Sequence, residues 1–154
     1  MDYQLLKWAH ILSSTLLFGT GIGSAYYLLR ATLERDPAVV ATVARHVVLA
    51  DWLFTATTAL LQPLTGYLLI RAAGFPPDSG WLVKSYWLYG LAIACWLPVV
   101  HLQMRLRDIA HAAAAAGDPL PPAYWRVFRG WFALGVPAFF AFVAIFWLMV
   151  AKPV

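Results

Sequence analysis

Charge is what this chain has least of: Asp, Glu, Lys and Arg make up 12% of its 154 residues, while apolar types make up 62%. A surface that apolar does not stay dispersed in water, so lipid must be the solvent and a soluble globular class is excluded. Cysteine is nearly absent. Cys95 stands alone inside an apolar run, which rules out an intrachain disulfide or a cysteine-rich zinc or iron–sulfur centre and leaves packing as its role. Met1, Met104 and Met149 form no cluster of the soft ligands that copper(I) prefers. Long polar stretches are missing too, so no separate soluble module fits between the apolar runs.

What remains is four apolar runs, roughly residues 3–29, 46–70, 81–104 and 125–151. Each can cross a hydrocarbon layer of ~30 Å as one helix. The expectation is an all-α integral membrane four-helix bundle, one domain over residues 1–154, with the lipid bilayer as its first partner. The net charge of +4 does not mark a nucleic-acid binder, because the basic residues sit at helix ends and form no stripe. Arg30, Arg35, Arg45, Arg105, Arg107, Arg126 and Arg129 fall in or beside the loops joining runs 1–2 and 3–4, against Lys7, Arg71, Lys84 and Lys152 on the other side. The positive-inside rule then predicts both termini on the periplasmic side. A cleavable signal peptide is the competing reading of run 1, since Gly21-Ile22-Gly23-Ser24-Ala25 offers small residues at a suitable distance. Asp2 and His10 fit a basic leading segment poorly, and the run is long enough to span.

Punctuation residues set the helix ends. Asp36-Pro37 reads as an N-cap followed by proline at the first helical position, so helix 2 is predicted to start near Pro37. Helix 3 carries strong helix formers past Arg105 to a stop at Gly117, and helices 2 and 3 should therefore project together on the cytoplasmic side. The turn at Gly74–Gly80 makes these two helices antiparallel.

Polar groups inside lipid-spanning helices are where function is to be sought. On helix 1, His10, Ser14, Leu17, Gly21 and Ser24 share one face, fit to meet protein or a flat ligand. Gly19 and Gly23 form a Gly-xxx-Gly pair that suits a second close helix contact, within the bundle or in a homo-oligomer. On helix 2, Asp51, Thr55, Thr58, Gln62 and Thr65 form a continuous polar stripe. Its plain reading is threonines bonded to their own backbone and Asp51 and Gln62 joining helices; the functional reading is a proton or water path beginning at Asp51. Pro63 frees the carbonyl one turn earlier. On helix 3, Lys84, Trp87, Leu91, Ala94, Pro98 and His101 alternate steps of three and four, a seam predicted to face the bundle; spacing alone favours Lys84 as an interfacial anchor. His46 and His101 lie near the same membrane boundary, and a pair of facing histidines is one way to hold haem iron, though helical phase separates His46 from the Asp51 stripe.

Tyr3-Gln4-Leu5-Leu6-Lys7-Trp8-Ala9-His10-Ile11, Pro63-Leu64-Thr65-Gly66-Tyr67, Trp81-Leu82-Val83-Lys84 and Ala151-Lys152-Pro153 resemble the four-helix group that holds HemJ-type protoporphyrinogen oxidases and CopD-like proteins. Along nearly its whole length the chain is similar to the bacterial integral membrane family catalogued as domain of unknown function 2269. The HemJ-type resemblance implies haem b, with iron on His10, Lys84 as a catalytic or tetrapyrrole-binding residue, and an electron acceptor such as a quinone. It also implies the bacterial inner membrane. Gly21-Ile22-Gly23-Ser24-Ala25-Tyr26-Tyr27 replaces the aromatic Pro-Arg run of that group, so haem binding carries over better than the oxidase activity. The CopD-like side implies ion or metal passage along the helix-2 stripe. A third class is a non-catalytic accessory subunit, which would purify without a chromophore.

Overall fold

The computed structural model describes residues 2–153, and among them the only regular structure is helix. Helix α1 spans Tyr3–Glu34, α2 spans Pro37–Ala73, α3 spans Gly80–Ala116 and α4 spans Pro122–Ala151. Local chemistry explains each boundary. The Asp2 carboxylate accepts from Gln4 N–H (3.1 Å) to open α1, and Asp36 accepts from Ala38 N–H (2.8 Å) ahead of Pro37 to open α2. Gly74 and Gly117 end α2 and α3 at φ 69° and 71°, a left-handed turn that costs glycine little. The sequence-predicted start at Pro37 and stop at Gly117 both hold.

Helices α2, α3 and α4 are long and apolar enough to cross a membrane. The expectation of four such helices is met for three, because His10, Ser13, Ser14, Thr15, Thr20 and Ser24 dilute the apolar residues of α1. At a rise of 1.5 Å per residue, the 37 residues of α2 or α3 extend about 55 Å, well beyond the hydrocarbon thickness.

Packing follows chain order. Helix α1 lies along α2, the first half of α2 lies against α3, and α3 lies along α4. The largest buried cluster occupies the arginine-rich end, where Leu28, Val40, Ala44, Leu106, Ala110 and Tyr124 are wholly inaccessible or nearly so. There the Tyr124 hydroxyl meets Thr32 Oγ1 at 2.7 Å, with both residues at 0% exposure. Helices α1 and α4 hardly touch; Phe18 bridges them, its ring 5.1 Å from Phe146 and 5.7 Å from Phe139. That loose edge shapes the site.

The seam predicted on helix 3 faces the opposite way. Lys84, Trp87, Leu91, Ala94, Pro98 and His101 are all exposed, and the buried face carries Trp81, Ser85, Ala92, Cys95, Val99 and Gln103. Ser85, Ala92 and Cys95 on that face are small and let the neighbouring helices approach. Gly19 and Gly23 have nothing within 4 Å of where a Cβ would stand, so this pair makes no close contact with another helix among the described residues.

Candidate functional site: a cavity at the π turn of α2

Between residues 51 and 55 the hydrogen bonding of α2 widens into a π turn, Asp51–Thr55. A widened turn shifts the phase of all that follows, and such turns recur at functional sites. Before it, α2 packs against α3; after it, α2 pairs chiefly with α1. The polar stripe divides accordingly.

Asp51 and Thr55, 3% and 5% exposed, stand at the wall of a 380 Å³ cavity enclosed by all four helices. Thr55 Oγ1 donates to the Asp51 carboxylate at 2.9 Å, and the Gln103 side chain approaches it from α3. Leu17, Gly21 and Ser24 of α1, Trp96 and Gln103 of α3, and Trp131 of α4 complete the inner wall. Three polar atoms of these lining residues, Trp96 Nε1, Gln103 Oε1 and Trp131 Nε1, are buried without a hydrogen-bond partner among the described residues. Each such group costs about 1–3 kcal/mol while it stays unpaired. Ile22, Tyr26, Phe132, Val136 and Phe140 line the same space and are also exposed on the outside. The cavity therefore opens sideways, between α1 and α4.

Beyond the π turn the stripe joins α2 to α1. Gln62 Nε2 donates to the His10 carbonyl (3.0 Å) and to Ser13 Oγ, and His10 Nδ1 lies 2.7 Å from Thr65 Oγ1. Thr65 gives its own proton to the Leu61 carbonyl at 2.7 Å, so His10 donates from Nδ1–H, and in the neutral ring Nε2 carries the lone pair. A Cβ on Gly66 would stand 3.4 Å from His10 Cε1; glycine there lets the imidazole sit against α2. Thr58 bonds back to the Phe54 carbonyl, as the plain reading of the stripe holds. Pro63 leaves the Ala59 carbonyl without its helical donor, and the Tyr89 hydroxyl of α3 supplies one.

The sequence-predicted residues thus separate. Asp51 and Gly21 line the cavity; Ser14 is half-buried and donates to the Ile11 carbonyl at 2.7 Å. His10 lies in the α1–α2 interface, and Lys84 is exposed on α3, which is not packed along α1. His46 and His101 are exposed and outside the cavity lining. The lining contains no histidine, cysteine or methionine, and among the described residues no three His, Cys, Asp or Glu side chains converge as a metal site. A haem seated in the cavity would find no axial ligand on its walls. Sequence reasoning passed over Trp96, Gln103 and Trp131. The available signal was Gln103, an amide seven residues after Trp96 on the same helical face.

A helical chain with three membrane-crossing helices and a buried carboxyl beside an apolar cavity belongs to the multi-pass membrane proteins. Residues 4–153 match the family model "Predicted integral membrane protein (DUF2269)", and the chain belongs to that family. No curated protein and no solved structure matches it.

Proposed function

We propose that this protein binds a lipid-soluble ring compound carrying oxygen acceptors, of the quinone class, in the cavity at the π turn. The observation that carries the reading is the group of unpartnered polar atoms, Trp96 Nε1, Trp131 Nε1 and Gln103 Oε1, set among aromatic walls. Quinone carbonyls accept from the two indoles; the reduced hydroxyls donate to Gln103 Oε1 and to the Asp51 carboxyl. The opening between α1 and α4 faces the phase in which such a molecule dissolves. The test is a titration of the detergent-purified chain with a short-chain benzoquinone, followed by tryptophan fluorescence. Saturable quenching in wild type, lost in Trp96→Phe/Trp131→Phe, supports the site; equal, non-saturating quenching in both contradicts it. Lys84→Met, altering an exposed residue on the outer face of α3, leaves the affinity unchanged within twofold.

A second reading rests on His10. Its Nδ1–H is held by Thr65, so in the neutral ring Nε2 is the free nitrogen, the form in which an imidazole ligates iron. The HemJ-type resemblance supports haem b at this residue. An absorption spectrum of purified protein, oxidised and dithionite-reduced, decides it: a haem band lost in His10→Ala supports this reading, and a featureless wild-type spectrum removes it.

In the bilayer α1 forms a fourth crossing alongside the three more apolar helices, in a bacterial inner membrane. The seven arginines at the α1–α2 and α3–α4 connections support both termini lying on the periplasmic side, with α2 and α3 projecting into the cytoplasm. A reporter active only in the periplasm gives a signal when fused to the C-terminus, and one active only in the cytoplasm gives none. The reverse pattern inverts the assignment.

A further inference from the structure

A second cleft lies between α3 and α4 at the arginine-rich end, and none of the residues lining it lines the first cavity. It is an open hollow of about 420 Å³, lined by Leu102, Arg105, Ala123, Arg126, Val127 and Gly130. Two guanidinium groups thus border one hollow, from facing helices. Their charge is not spent on protein carboxylates: the one ion pair among the described residues is Arg107 with Asp108, 2.8 Å. Holding two like charges at one cleft is unfavourable unless an anion joins them.

A third donor comes from the start of α4. Pro121 occupies the N-cap position and makes no side-chain cap, so the first-turn amides lack the acceptor that serine or aspartate would supply. The Tyr124 amide is taken by the Pro121 carbonyl at 2.9 Å. Ala123, one position earlier and itself in the lining, has its N–H at the positive end of the helix dipole. Small residues border the hollow: Ala123 stands at its edge, and a Cβ on Gly130 would make an ordinary contact with Leu102 Cδ1, at 3.7 Å. Leu102 and Val127 give it apolar walls.

We propose that this cleft binds a phosphate group, gripped by Arg105, Arg126 and the first turn of α4, and carried by a phospholipid headgroup or a free phosphate compound. Guanidinium pairs suit phosphate because each presents parallel N–H donors. Arg105 directly follows the apolar run 81–104 and Arg126 stands at the start of the run 125–151, the kind of boundary at which lipid phosphates lie.

The experiment uses the full chain, delipidated in mild detergent, and native mass spectrometry with phosphatidylglycerol, diacylglycerol or inorganic phosphate added. Wild type retains phosphatidylglycerol in preference to diacylglycerol. Arg105→Gln/Arg126→Gln binds phosphatidylglycerol about thirtyfold more weakly, at about fivefold per arginine. Arg107→Gln, whose partner is Asp108, binds like wild type. Competition by millimolar inorganic phosphate identifies a site for free phosphate compounds; retention of the lipid against it identifies a headgroup site. Equal binding of phosphatidylglycerol by wild type and the double variant, with Arg105→Lys/Arg126→Lys also unchanged, overturns the proposal. So does equal retention of diacylglycerol and phosphatidylglycerol by wild type.

Discussion

Gln103→Leu should weaken quinone binding about ten- to a hundredfold without lowering the thermal stability of the empty protein. The two effects have one cause. Gln103 is 3% exposed and its Oε1 has no partner, so the empty protein carries the cost of a buried, unpaired carbonyl. Leucine has similar volume and no polar atom; it removes that cost together with a hydrogen bond to the ligand, and the relief offsets the loss of the Gln103 side chain beside Asp51. A residue retained only for packing would behave otherwise, because its replacement would lower the melting temperature and leave affinity alone. The check is a melting curve of the empty protein beside the fluorescence titration. Asp51→Asn separates the roles further: it keeps shape and hydrogen bonding to Thr55, and is expected to spare binding of the oxidised ring while weakening that of the reduced form.

The largest stability effect is expected at Tyr124, where truncation to alanine should cost about 3–5 kcal/mol. Tyr124 is wholly buried in the cluster where all four helices meet at the arginine-rich end, and it stacks on Phe128 with 6.3 Å between ring centroids. Alanine leaves a ring-sized void and deprives Thr32, also at 0% exposure, of its side-chain partner. Tyr124→Phe keeps the ring and removes only the 2.7 Å hydrogen bond, so its expected cost is about 1 kcal/mol. Denaturation in mixed micelles, followed by far-ultraviolet dichroism, measures both. Equal losses in the two variants would mean that the hydroxyl, not the packed ring, holds this end together.

Helix ends were legible in the sequence because capping is local: Asp36 before Pro37 and the glycines at 74 and 117 act within one turn of where they stand. The stripe from Asp51 to Thr65 was legible as well, since lipid exposure would have left its polar groups unpaired. The orientation of α3 was not. In a membrane both faces of a helix are apolar, and the regular spacing of Lys84, Trp87, Leu91 and His101 looked like a packing seam although it faces outward. Residue size was the better guide, with Ser85, Ala92 and Cys95 marking the face that closes against its neighbours. The cavity lay beyond sequence reading because its walls come from four helices and its depth depends on the phase shift at Asp51–Thr55.

Photolabelling in native membranes tests the central claim most directly. A photoreactive benzoquinone is added, irradiated, and the labelled peptides are mapped. The account predicts label on the α1 segment from Ile22 to Leu29 and on α4 from Phe132 to Phe142, the two sides of the lateral opening, and its suppression by excess unlabelled quinone. Label spread evenly over outward residues such as Leu60, Trp87 and Val150, which are 76%, 78% and 82% exposed, and indifferent to competitor, would contradict it.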